Sequence, residues 1–379
     1  MRGGGNLVAA AFALTALSYG LARFAYGLLL PQIREELSLG TAAAGWIGGG
    51  AFATYCLGIL LASLVGARLG ERVLAMLAGL AATAGMGLVA LAPSTLVLGA
   101  AIGLAGLSTG FTSPPLASAV ARGFSEQARP KANGMINAGT AAGIVFSGAA
   151  AISFAAAWRE LYMLFAGIGA LVTAWVWFAL PGKAARAGEG TGLPLRQLAS
   201  PGLASLCAAA FMMGAASTAV WTFGADILRG GPGFPESRIA LAWITLGLGG
   251  LAGSSTGLLV ARFGIGAAHR AALLTMALCY GMLMAATAVP LLAFMAMALF
   301  GAAYIISSGV LLIRGTTLLP ARPELGLGIP FLAVAVGQTV GAPLFGLVMD
   351  KAAAPAALLL FAAIACGAML WGMKGAARS

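Results

Sequence analysis

The sequence predicts an all-α membrane protein of twelve transmembrane helices arranged as two pseudo-symmetric six-helix bundles. Three observations predict it. The chain has 379 residues, of which 61% are hydrophobic and 8% charged, against about 25% charged in a soluble domain whose surface water must solvate. Its apolar residues form continuous runs rich in Ala, Leu and Gly, near the roughly 20 residues that carry a helix across the hydrocarbon layer. Features of the first half also recur at corresponding places in the second. In lipid an unpaired backbone group costs several kcal/mol, which leaves helices or closed barrels. Barrel strands would alternate over about 10 residues, and these runs do not.

Charges, prolines and short polar clusters divide the chain into twelve segments near 7–30, 42–65, 73–92, 95–121, 132–154, 161–181, 201–227, 239–261, 268–288, 291–318, 328–349 and 355–373. The first begins soon after Arg2 and resembles a signal peptide in outline. Its length, the lack of a convincing cleavage site and the many spans that follow read as a retained first helix. The longest connection rich in charge and small residues, 182–200, carries Lys183, Arg186, Glu189 and Arg196. It predicts an N-terminal bundle over 1–181, a linker over 182–200 and a C-terminal bundle over 201–379.

The halves look duplicated. Gly139, Gly143 and Gly148 of segment five are matched at identical spacing by Gly337, Gly341 and Gly346 of segment eleven. Ala67-Arg68-Leu69-Gly70 after segment two is matched by Ala261-Arg262-Phe263-Gly264 after segment eight, and Trp46 and Trp243 open those two segments. Orientation follows from Lys and Arg in short loops. With a cytoplasmic N-terminus, fourteen of the 21 basic residues fall inside, five outside (Arg34, Arg159, Arg229, Arg238, Lys351), and Arg23 and Arg314 lie within spans. Both termini and the linker are expected in the cytoplasm.

The net charge of +11 does not indicate a nucleic-acid partner, because the basic residues are scattered rather than gathered on one face. Cys56, Cys207, Cys279 and Cys366 fall inside apolar runs without paired spacing, which predicts neither disulfides nor a metal site. No cofactor is expected.

Arg68-Leu69-Gly70-Glu71-Arg72 resembles the loop signature of the major facilitator superfamily between spans two and three. The chain keeps Arg68, Gly70 and Arg72 of that cytoplasmic latch but has Ser63 where a Gly is usual and Ala67 where an Asp is usual. Basic side chains there can also cap helix C-terminal carbonyls or meet anionic headgroups. Tyr19-Gly20-Leu21-Ala22-Arg23-Phe24-Ala25-Tyr26-Gly27, running to Leu30-Pro31, is similar to the first span of the YbfB/YjiJ-type bacterial branch, as is Trp158-Arg159 at segment six. The resemblance implies alternating-access transport across a bacterial inner membrane, and no particular substrate.

Embedded charges are the first functional suspects, at about 2.5–3.5 kcal/mol each on insertion scales. Arg23 lies eight residues before Pro31, about 12 Å along the helix, farther than a snorkelling side chain covers. It is expected in a central cavity, where a guanidinium holds a carboxylate or phosphate by paired hydrogen bonds. Arg314, six residues before Pro320, is within snorkelling reach. No acidic residue falls mid-span, and the single histidine, His269, falls in the loop after segment eight. Asp226, near the outer end of segment seven, is then the candidate for proton coupling or for an outer gate. Tyr26 shares a face with Arg23, and Trp221 sits in the corresponding helix of the second half, so both are candidates to clamp an apolar body. Asn133 and Asn137 of segment five and Gln338 of segment eleven bring amides to corresponding places, and carriers of this kind bind substrate at the repeat interface. Asn137 and Gln338 are the candidate ligands, with interhelical hydrogen bonding as the alternative. Pro114-Pro115 should bend segment four.

An intramembrane enzyme needs a nucleophile with a base, or a metal with ligands, and the sequence offers neither. A channel or receptor does not predict duplicated six-span halves. The reading is a secondary carrier, not an enzyme, whose partners are a small-molecule substrate, membrane lipid and, if it is coupled, protons. A monomer is expected. An organic anion is favoured over drug-like efflux or uncoupled uniport, because cationic drug export wants an embedded acid.

Overall fold

The computed structural model describes residues 2–154, 157–182, 200–320 and 322–371. The greater part of the expected linker, 183–199, therefore lies outside the described residues. Within the described residues every regular element is helical. Eleven stretches are long and apolar enough to cross a membrane: α1 Gly4–Glu36, α2 Thr41–Gly66, α3 Arg68–Ala90, α4 Thr95–Gly123, α5 Arg129–Ser153, α6 Trp158–Ala179, α7 Pro201–Trp221, α8 Glu236–Phe263, α9 Ile265–Ala285, α10 Leu291–Leu318 and α11 Leu325–Ala368. The last has 44 residues, about 66 Å of helix against a hydrocarbon core of about 30 Å. Ala353, at φ 65°, breaks it. It is two crossings, which brings the spans to the twelve that the sequence predicts.

Two glycines set the joints between consecutive spans. Gly70 (φ 78°) interrupts the helical path from α2 to α3, and Gly264 (φ 83°) does the same from α8 to α9. These are the matched last residues of the Ala-Arg-Leu-Gly and Ala-Arg-Phe-Gly repeats. Positive φ is open to glycine and costs other residues about 1–2 kcal/mol, so the repeat in sequence is a repeat in backbone conformation.

The chain forms two compact units, one of Met1–Gly40, Gly50–Glu189 and Glu236–Gly247, the other of Thr41–Gly49, Gly190–Pro235 and Leu248–Ser379. In the first unit, a Cβ added at Gly139 or Gly143 of α5 would collide with the Phe12 or Ala16 carbonyl of α1. In the second, a Cβ at Gly337 or Gly341 of α11 would collide with the Phe211 or Ala215 carbonyl of α7. The third pair continues the pattern. Gly148 lies on Ala240 and Ile244 of α8 within the first unit, and Gly346 on Thr41 of α2 within the second. Lipid tails are as apolar as Leu side chains, so close van der Waals contact rather than water exclusion holds such helices together. A missing side chain on α5 or α11 lets the partner backbone approach.

Gly143→Leu and Gly341→Leu should each lower the unfolding midpoint in detergent, at a cost of about 1–3 kcal/mol for forced overpacking. Gly167→Ala in α6, where an added Cβ meets nothing within 4 Å, should leave the midpoint unchanged or raise it. Equal losses at all three would show that α5 and α11 are not the tight seams.

Candidate functional site

In the first unit, the site is built on an irregularity of α1. Residues Ala16–Phe24 wind as a π-helix, a local widening common at functional sites. Gly20 within it packs so closely on Gly143 that a Cβ would overlap the α5 backbone. A hydroxyl ladder ties the stretch to α4. Thr112 Oγ1 lies 2.8 Å from Ser18 Oγ, Thr109 Oγ1 donates to the Ser18 carbonyl at 3.2 Å, and Tyr19 Oη lies 2.8 Å from Ser113 Oγ. Pro114 and Pro115 follow within the same unbroken helix.

Arg23, at the end of the π-helical stretch, is 7% exposed. Its guanidinium carbon lies 4.4 Å from the Tyr55 ring centroid, 4.6 Å from Phe52, 5.0 Å from Phe24 and 5.8 Å from Tyr19. Tyr19 and Tyr55 meet edge to face at 6.4 Å. Phe52 and Tyr55 are three apart on α2, and Tyr19 and Arg23 four apart on α1, so each pair shares a helical face. Ring faces stabilise a guanidinium by about 0.5–2 kcal/mol each, more as water is excluded. Tyr26 is buried one turn on, whereas Asn137 is exposed on α5. Sequence alone marked Arg23 and Tyr26 but not Tyr19, Phe52, Tyr55 or the hydroxyl ladder.

The second unit has a polar and aromatic cluster of its own. Gln338, fully buried on α11, donates through Nε2 to Ser217 Oγ of α7 at 3.2 Å and to Tyr304 Oη of α10 at 3.3 Å. Trp221 meets Tyr304 edge to face at 5.1 Å and Phe300 at 5.8 Å. Tyr304 thus joins two residues that the sequence singled out separately, and it was itself missed. Asp226 is buried in the short helix Gly224–Gly230 that follows a break after α7. Arg314 is half-buried on α10.

The structure gives one charged loop a partnered acid and corrects the placement of the histidine. Glu71 is 3% exposed, accepts a hydrogen bond from Ser118 Oγ at 2.5 Å and forms an ion pair with Arg122. The carboxylate that Ala67 lacks is thus supplied four residues later. Ser118 and Arg122, four apart on α4, are the signal that was overlooked. Arg72 donates to the Leu180 carbonyl at 2.8 Å and lies over Trp177 at 5.5 Å, while Arg68 is exposed. His269 is not in a loop. It lies in the second turn of α9, 1% exposed, with Nδ1 3.1 Å from Ser307 Oγ of α10. Among the described residues no group of three His, Cys, Asp or Glu side chains is placed to hold a metal ion.

Helical spans, matched glycine seams and buried polar clusters define a polytopic carrier-like membrane protein. The family model of the Major Facilitator Superfamily matches residues 12–323, and the chain belongs to that superfamily. Solved structures agree in fold. The nucleoside transporter NupG superposes with a TM-score of 0.77 at 14% identity, covering 98% of each chain. A bacterial homolog to the human lysosomal transporter Spinster, inward-facing and occupied, gives 0.75 at 15% identity, covering 98% of this chain and 95% of that one. The D-xylose–proton symporter gives 0.76 at 16% identity, covering 98% and 97%. No curated protein sequence matches the chain.

Glu71→Ala should lower the unfolding midpoint, costing about 1–3 kcal/mol, because Arg122 and Ser118 lose a charged acceptor. Glu71→Gln, which still accepts from Ser118, should lose less. Thermal unfolding of the two variants in detergent compares them, and an unshifted Glu71→Ala would show the pair to be idle.

Proposed function

We propose that the protein is a secondary active transporter that moves a small organic anion across a bacterial inner membrane by alternating access. In this reading residues 1–181 and 201–379 are its two halves, it works as a monomer, and both termini are cytoplasmic. The carrying observation is Arg23, a permanently charged guanidinium buried to 7% exposure at the end of a π-helical stretch. A buried guanidinium recognises carboxylate or phosphate by two parallel hydrogen bonds. Tyr19, Tyr26 and Tyr55 add rings and hydroxyls beside it. Trp221, Gln338 and Asn137 are proposed as further substrate groups, and Asp226 as an outer-gate or coupling group. Arg68, Gly70 and Arg72 are proposed as the cytoplasmic latch, with Glu71 as its acid. The aromatic content of both clusters favours solutes with a flat or apolar body, which makes export of hydrophobic compounds the second reading.

A thermal-shift panel of small carboxylates, phosphate esters, nucleosides, sugars and hydrophobic cations on purified protein separates the two. Anions should stabilise the wild type. Arg23→Ala should weaken the best of them about tenfold or more in Kd, as loss of a charge-assisted pair worth about 1.5–3 kcal/mol requires. Arg23→Lys should recover part of the affinity, since an ammonium keeps the charge but not the planar fork. Stabilisation confined to hydrophobic cations, or an anion bound equally well by Arg23→Ala, would overturn the anion reading.

A further inference from the structure

His269 is the chain's single histidine and takes no part in either cluster described above. It is buried at 1% exposure between α9 and α10 in the second unit. Nδ1 meets Ser307 Oγ at 3.1 Å, and Nε2 is buried without a hydrogen-bond partner. Ser308, one residue on, also buries a hydroxyl oxygen without a partner. A buried imidazole nitrogen on α9 and a buried hydroxyl on α10 are thus left unsatisfied, which native interiors seldom tolerate without a use.

The geometry points to His269 as a proton-binding site of the carrier, one that takes up a proton as the joint between α9 and α10 loosens and gives it back to water as the joint closes. This rests on the transporter reading and adds the proton as a second, coupled ligand. The neutral ring has one N–H and one lone pair. If Ser307 donates to Nδ1, Nε2 carries an N–H with no acceptor. If Nδ1–H donates to Ser307, Nε2 presents a bare lone pair. A proton arriving from hydronium forms the missing N–H bond and leaves water behind. The ring then has two donors, one served by the Ser307 oxygen and the other aimed where the closed joint provides no acceptor. Water or a shifted hydroxyl must supply it, so proton occupancy and the packing of α9 on α10 are linked. Release is the reverse, with the N–H proton returning to water.

The helices packed on α9 are the Thr256–Phe263 end of α8, α10, α11 and, where the Tyr280 hydroxyl donates to the Ala216 carbonyl, α7. Their titratable and charged groups are Arg262 on that end of α8, with Glu236 and Arg238 at its other end, Cys207 on α7, Tyr304 and Arg314 on α10, and Asp350, Lys351 and Cys366 on α11, with Glu324 just before it, whose side chain lies outside the described residues. On α9 itself they are Arg270, Cys279 and Tyr280. Arg262, Arg270, Asp350 and Lys351 are exposed. The partner the structure gives His269 is a neutral hydroxyl, so its added charge is not cancelled by an ion pair already in place there.

A single histidine makes the test direct. Full-length protein labelled with 15N in the imidazole ring and held in lipid nanodiscs should show one ring system, passing from the neutral to the doubly protonated pattern between about pH 8 and pH 3. Over the same range, hydrogen exchange of the amides around 265–275 and 303–311 should quicken about threefold on acidification, after correction for the intrinsic rate. His269→Gln should abolish that acceleration. Ser307→Ala, which keeps the imidazole, should retain it with a displaced midpoint and serves should the glutamine variant misfold. A ring that stays neutral to the lower limit in folded protein, or an undiminished response in His269→Gln, would overturn the proposal. Neither readout uses a transported solute, so the outcome stands apart from the Arg23 binding test.

Discussion

The structure depends first on the absence of water around its backbone. In hydrocarbon no solvent competes for peptide N–H and C=O groups, so each span must satisfy them within its own helix. The residues left to hold spans together are those that allow close approach. The glycines of α5 and α11 supply it, with partner carbonyls of α1 and α7 lying where side chains would otherwise stand. Contact of this kind needs no exclusion of water to be favourable. It also ties the first span of each half to the fifth, which fixes where the functional side chains of α1 and α7 can point.

That constraint explains how each cluster is built. Polar groups inside such a bundle are costly unless paired, so the hydroxyls of Ser18, Thr109 and Thr112 and the amide of Gln338 are held by neighbouring helices. A charge is harder to accommodate. The first unit sets ring faces around the Arg23 guanidinium, which add electrostatic attraction to its charge. Rings are also rigid, with only two side-chain torsions to order, so they hold the guanidinium at little entropic cost.

Much of the fold was legible because its causes are local or periodic. Span number follows from hydropathy and length, and duplication from the glycine spacing that the packing later used. The turn at Gly70 and its mate at Gly264 was legible as a sequence match, and the shared positive φ shows why the match persists. The candidate sites were legible only where a single residue type is costly in lipid: Arg23 stood out because a mid-span arginine has few bland explanations. Tyr19, Tyr55, Ser113 and Tyr304 did not, because hydroxyls and rings are ordinary in membrane helices until a second helix brings them together. His269 was misplaced, and the partners of Glu71 were missed, for a related reason. Both sit within a few residues of a span end, where sequence does not say which neighbour covers them. Even a matched pair can diverge: Trp243 is fully buried, whereas Trp46 is 64% exposed.

The divergence of the halves carries a further lesson about the two glycine joints. They share a backbone conformation, but the chemistry placed next to each differs. After Gly70 comes Glu71, bound by Ser118 and Arg122, so the α3–α4 contact is ionic and satisfied. After Gly264 the matching position is Ile265, and the polar group arrives a turn later as His269, bound on one nitrogen by Ser307. An ion pair in place resists change in either direction, since parting it leaves two charges to be solvated. A half-satisfied imidazole is different, because a proton alters what it needs without breaking a salt bridge. The two joints thus share a backbone conformation but not the chemistry beside it, one followed by an ion pair and the other by an imidazole satisfied on one nitrogen only.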